Sequence, residues 1–244
     1  MSIINILLKI AGKDNTVFDN QISSGYIIKL CWKYGWMMLR GIFFSLGSNS
    51  ISRKVFIGKK VIVLEKRNLL VGNNTKIHDH VYLDALSTDG IILGDNVVIG
   101  RNSRLECTGS IKAIGKGIKI GNNSTFGSDC YFGAAGGITV GSDVVAGQYI
   151  RFHSENHNYD KLDMLIREQG ESHKGIIIGN NCWIGAGVVF LDGAELGDGC
   201  VVGANAVITG RFPNNSVIGG VPAKIIKYRG NSGEKANNNN CADL

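Results

Sequence analysis

The chain has 244 residues, 44% of them apolar, which suffices for one or two domains with a core and excludes an unfolded chain. It carries 34 glycines and only 2 prolines; without a Gly-X-Y period this excludes collagen and asks for a repeat that uses glycine by position. The formal charge of +6 fits solubility, a phosphate-bearing ligand or an anionic membrane surface, while scattered basic residues without interleaved aromatics argue against nucleic acid.

Residues 1–52 are expected to form an N-terminal helical segment. MSIINILLK lacks the basic region and long apolar run of a secretory signal, so a reduced cytoplasmic compartment is expected. The cysteines (Cys31, Cys107, Cys130, Cys182, Cys200 and Cys241) form no C-x-x-C pair and read as small core thiols. Within residues 25–47, GYIIKLCWKYGWMMLRGIFFSLG, a helical projection puts Lys29, Lys33 and Arg40 on one stripe beside Trp36, with apolar and aromatic residues elsewhere. Three spaced cations argue against a membrane span. Two readings stay open: a helix packed across the domain or on a neighbouring subunit, and an amphipathic helix in peripheral contact with the cytoplasmic face of a membrane.

Residues 53–228 keep a beat of six. Apolar residues fall at Val71, Ile77 and Leu83, at Leu93, Ile99, Leu105 and Ile111, and at Ile120, Phe126 and Phe132. The beat continues at Val140, Ala146 and Phe152, then from Ile178 to Ile208, mostly with glycine next. Six is a multiple of the strand period of two and does not fit a 3.6-residue helix. Each hexad therefore predicts a short strand and a turn. Three hexads close a coil, and equivalent residues such as Cys182 and Cys200 stack about 4.8 Å apart. Glycine at the corner supplies either a positive φ or room for a crowded backbone.

Between Phe152 and Ile178 the beat stops. A protruding loop over 153–175 is expected, holding His153, His157 and His173 with Glu155, Asp160 and Asp163. Loops on a rigid scaffold carry chemistry, and imidazole, with a pKa of about 6.5, suits proton transfer near neutrality. Residues 229–244 lack periodic apolar residues and read as a disordered tail.

The beat, together with ENHNYD, IREQG and WIGAG…VPAKIIK, resembles the hexapeptide-repeat acyltransferase family. Within it the sequence looks like the O-acetyltransferase branch, which includes galactoside and maltose acetyltransferases and enzymes that modify surface polysaccharides. The resemblance implies an all-β fold, a left-handed parallel β-helix, where the general crossover rule gives a right-handed one. It implies acetyl-CoA as co-substrate, no metal, and a sugar or polysaccharide-precursor acceptor in capsule, O-antigen or exopolysaccharide biosynthesis. It also implies a homotrimer with sites between subunits.

Carried over in register, His157 is the general base, with Glu155 as a candidate orienter, and the Ala186 backbone N–H is the oxyanion donor. Trp183 lines the thioester arm, Ala204 and Thr209 follow the pantetheine and diphosphate, and Lys224 and Lys227 meet the 3′-phosphate. Relatives often carry a lysine after that threonine; here Gly210 stands there and Arg211 is expected to compensate. On the acceptor side Gly127 replaces an asparagine, which leaves Asp129 and His153 as candidates, while His173 reads as an exposed loop residue. Three alternatives are carried: N-acetyl transfer to an amino-sugar nucleotide, a zinc-dependent carbonic anhydrase needing a third imidazole beside His153 and His157, and a scaffold without chemistry.

Overall fold

The computed structural model describes residues 22–48 and 50–230, so the expectations for residues 1–21 and 231–244 lie outside the described residues. The hexads form three parallel sheets wrapped into a prism. Face 1 has nine strands from Phe56–Ile57 to the final hairpin Ser216–Gly220 and Ala223–Tyr228. Face 2 has seven from Ile62–Leu64 to Val207–Ile208, and face 3 has seven from Leu69–Val71 to Arg211–Phe212. The chain runs from face 1 to 2 to 3 in every coil, and each inward residue sits in register on its equivalent one coil away, as Phe132, Phe152 and Phe190 do.

The hexad residues fill the core, with one correction. Ile111 is 89% exposed. It belongs to an excursion between Cys107 and Ile118, closed by a Ser110–Ala113 bridge and by Gly115 N donating to Thr108 Oγ1 at 2.9 Å. Phe132, Phe152 and Phe190 stack with ring centroids 4.7 and 4.9 Å apart, each pair adding about 0.5–1.5 kcal/mol beyond its burial. Burial pushes the Cys107 thiol up to about 12 and the Cys130 thiol to about 11, so both stay protonated core residues.

The corner glycines are explained by crowding and not by φ. A Cβ on Gly121 would lie 2.6 Å from the Gly141 carbonyl carbon, and one on Gly147 2.7 Å from Ala186 N. Positive φ falls two residues later, on Asn123, Tyr149 and Asn205 among others, mostly residues whose side chains tolerate the left-handed region. The polar residue between them ties coils together: Asn73 N donates to Asp95 Oδ1 at 2.6 Å, Asp95 N to Asn122 Oδ1 at 2.8 Å, and Asn180 N to Asp198 Oδ1 at 2.6 Å.

All irregularity collects on one edge. The steps from face 1 to face 2 and from face 3 to face 1 keep the hexad, as from Ile99 to Leu105 and from Ile120 to Phe126. The step from face 2 to face 3 is the one that varies: it lengthens from Leu83 to Leu93, Leu105 to Ile120 and Phe152 to Ile178, and shortens from Ile208 to Phe212.

Helix α1 (Ser24–Ser45) starts on the Ser23 cap and packs on the first coil through Ile27, Met37, Gly41 and Ser45. Gly41 is required there, since a Cβ would lie 1.8 Å from the Val55 carbonyl oxygen. Of the cationic stripe, Arg40 turns inward: its Nε donates to the Ile57 and Gly58 carbonyls at 2.8 and 3.1 Å. The helix therefore packs across the domain, as one of the two readings expected, with its apolar exposed face on the opposite side.

Candidate active site

The expected loop is a β-hairpin on the irregular edge. Strand Asn156–His157 pairs antiparallel with Glu171–Ser172, and a 3-10 turn, Ile166–Glu168, forms its tip. The Gln169 side chain closes the tip, accepting from Lys161 N at 2.9 Å and donating to the Lys161 and Met164 carbonyls. Two buried side chains root it. Ser154 Oγ donates to the Gly133 carbonyl at 2.9 Å and accepts from Gly136 N at 3.0 Å. Asp192 accepts from Ser172 Oγ, Lys174 N and Gly175 N at 3.1, 3.0 and 2.8 Å.

Alternation along the ribbon sends residues 155, 157, 171 and 173 to one face. His157 Nδ1 lies 3.4 Å from Glu171 Oε1, and His173 Nε2 lies 3.0 Å from Glu155 Oε2 and 3.8 Å from Glu171 Oε2. Glu155 is thus held by His173, and Glu171 stands behind the His157 ring. His173 is exposed, as expected, and it is a member of the cluster. The four side chains line a cavity of about 520 Å³ whose other walls come from the same edge of earlier coils: Thr88, the 109–116 excursion, Ala135 and Gly136.

The remaining expected residues lie elsewhere. Asp129 is at a corner between faces 1 and 2, accepting from Asn102 Nδ2 at 3.0 Å. His153 projects from face 2 onto the Tyr131 ring, 5.6 Å between centroids, and burial lowers its pKa. Neither lines the cavity. Trp183 is exposed on face 1 between Val145 and Val201. Ala186 and Ala204 occupy stacked corners between faces 1 and 2, and their N–H groups donate to no group among the described residues. Thr209 is exposed on the hairpin's edge, Arg211 is paired with Glu195 at 3.0 Å, and Lys224 and Lys227 are exposed on the last strand. A three-imidazole zinc site is not formed among the described residues, because His78 and His80 lie on another edge three coils away.

Glu171, Asp192 and the 109–116 wall were not legible in the sequence, and neither were the carboxylate partners of His173. The lengthened step between Ile111 and Ile120 was the available signal for the wall; the partners depend on hairpin register.

Two family models match: the bacterial transferase hexapeptide (six repeats) over residues 175–210, and the hexapeptide repeat of succinyl-transferase over 79–106 and 117–148. The chain is 32% identical over 155 residues to the putative lipopolysaccharide biosynthesis O-acetyl transferase WbbJ of Escherichia coli K12, covering 58% of this chain and 74% of that protein. It is 34% identical to the galactoside O-acetyltransferase of the same organism over 37% of this chain and 43% of the relative. WbbJ apart, the chain spans less than half the length of several curated relatives it matches. The fold is that of AntD, an N-acyltransferase from Bacillus cereus solved with dTDP and 3-hydroxybutyryl-CoA: TM-score 0.50, 17% identity, 78% of this chain and 88% of that one. The chain belongs to the hexapeptide-repeat transferase family, whose fold is the left-handed parallel β-helix. The relatives it matches are named acetyltransferases.

Proposed function

We propose that this protein is an acetyl-CoA-dependent O-acetyltransferase acting on a sugar hydroxyl in surface-polysaccharide biosynthesis, working in the cytoplasm at the inner face of a membrane. The observation that carries the reading is the hairpin: it places His157 at the cavity with Glu171 at its Nδ1 side, which leaves Nε2 as the base.

His157 takes the acceptor hydroxyl proton as that oxygen attacks the thioester carbonyl. A backbone N–H, that of Ala186, steadies the oxyanion. The C–S bond then breaks, and the His157 imidazolium returns its proton to the leaving thiolate, giving the sugar ester and free CoA. The unengaged N–H groups of Ala186 and Ala204, the exposed Trp183 and the cations Lys224 and Lys227 suit an extended anionic thioester along the prism. Arg211 contributes only by leaving Glu195. The acceptor enters the cavity walled by residues 109–116, which takes over the acceptor role first expected of Asp129 and His153.

His157 and Ala186 lie on different edges of one chain. A homotrimer with each site between neighbours unites them. Transfer to the amine of an amino-sugar nucleotide would use the same base; the O-acetyl relatives favour the hydroxyl.

The test is thiol release from acetyl-CoA with acceptors bearing only hydroxyls or only an amine. Release with hydroxyl acceptors supports the reading; release with amines alone transfers it to the second chemistry. Glu155, His157 and Glu171 offer ligand atoms within 4.8 Å of one another, so the assay is repeated with chelator, and unchanged release is expected.

A further inference from the structure

Helix α1 has two apolar faces, and among the described residues only one is packed. Ile27, Met37, Gly41 and Ser45 face the first coil. On the other side Trp32, Trp36, Leu39, Phe43 and Leu46 repeat at steps of four and three and are exposed, Trp32 by 69% and Phe43 by 65%. No described helix is long and apolar enough to cross a membrane. A helix with such a face and flanking cations lies in the interfacial plane, where tryptophan is favoured.

The charge of the chain is concentrated at the same end. Residues 22–67 hold nine lysines and arginines against one acid, Glu65, a net +8 that exceeds the +6 of the whole chain. Lys29 and Lys33 on the helix and Arg53, Lys54, Lys59 and Lys60 on the first coil are exposed, and none forms an ion pair with a carboxylate among the described residues. Two copies meeting through this face would bring like charges within a Debye length, roughly 10 Å at 0.1 M salt.

We propose that the N-terminal end of the prism is a docking surface for an anionic lipid bilayer, with the Trp32–Phe43 stripe entering the headgroup boundary and the first-coil cations on the anionic headgroups. The hairpin stands four strand spacings from the first coil on face 2, about 20 Å. A site at that height serves an acceptor saccharide held on a lipid anchor. This consequence rests on the acetyl-transfer reading; the docking does not.

The full-length protein is co-sedimented with phosphatidylcholine vesicles with and without phosphatidylglycerol, alongside release of thiol with a soluble acceptor. Wild type binds only the anionic vesicles, and binding weakens at least about tenfold on raising salt. The double variant Trp32→Glu/Trp36→Glu loses at least about tenfold in vesicle binding with thiol release unchanged, and Lys59→Glu/Lys60→Glu weakens binding and flattens its salt dependence. Indifference of wild type to anionic lipid, or wild-type binding by the tryptophan variant, overturns the proposal. So does a changed mass in light scattering for the tryptophan variant when wild type ignores vesicles, which makes the face a subunit contact. Binding gained only on deleting residues 1–21 assigns the face to the chain's own N-terminus and also overturns it. Vesicle binding without thiol release for any acceptor leaves the docking standing and removes the acetyl-transfer reading.

Discussion

Two edges of the same prism are built from the same hexads and do different things. The edge between faces 1 and 2 never departs from the beat, and it presents backbone: the N–H groups of Ala186 and Ala204 at stacked corners. The edge between faces 2 and 3 gives way at coil after coil, and it presents side chains: His157, Glu171, His173 and Glu155 over a cavity walled by earlier excursions. On the proposed reading, the regular edge offers these two backbone donors to a long linear substrate, and irregularity is confined to where acceptor and proton transfer need shape.

The largest expected effect tests the second edge directly. His157→Ala should lower turnover by about 10²–10⁴-fold with the melting temperature unchanged, because the side chain is 57% exposed. Asp192→Ala leaves Ser172 Oγ and the Lys174 and Gly175 N–H groups without their acceptor. It should cost about 1–3 kcal/mol in stability and roughly tenfold or more in turnover through misplacement of the hairpin, read by denaturant titration beside the thiol assay. The beat itself divides the chain in the same way. Phe152→Ala, inside the Phe132–Phe190 stack, should cost about 3–5 kcal/mol, whereas Ile111→Ala on the exposed excursion should leave stability within about 0.5 kcal/mol; similar costs for both would put Ile111 back in the core.

The smallest effect is in pH. Burial lowers the folded-state pKa of both His78 and His153. Their contribution is fully present above the unfolded value of about 6.5 and is lost as pH falls through the lowered folded values, because the unfolded chain takes the protons first. Melting temperature should therefore fall faster below a pH of about 6.5 in wild type than in His153→Gln; parallel curves would contradict the assignment.

The prism was legible because a period of six admits no helix, and the inward hexad residues other than Ile111 are buried. The place of the hairpin was legible from the broken beat between Phe152 and Ile178. The partners were not. Glu155 is two residues from His157 in sequence, yet cross-strand register gives it to His173 and brings in Glu171 from across the hairpin. Asp192 reaches the hairpin root from the next coil, a contact that only stacking creates. His153 shares the loop with His157 but leaves the strand on the outer face, against Tyr131.

In the proposed trimer the two edges meet across a subunit boundary. Ala186 precedes a residue with positive φ, Gly187 at 72°, the second position of a turn that accepts proline at its first. Ala186→Pro therefore removes the N–H while sparing the corner. His157→Ala and Ala186→Pro chains, each inactive alone, are unfolded together, reassembled as mixtures and assayed for thiol release. Sites shared between neighbouring chains predict recovery of about a quarter of wild-type activity in an equal mixture, since one pairing in four joins an intact base to an intact donor. A mixture as inactive as its parents, with mixed oligomers present, would contradict the account.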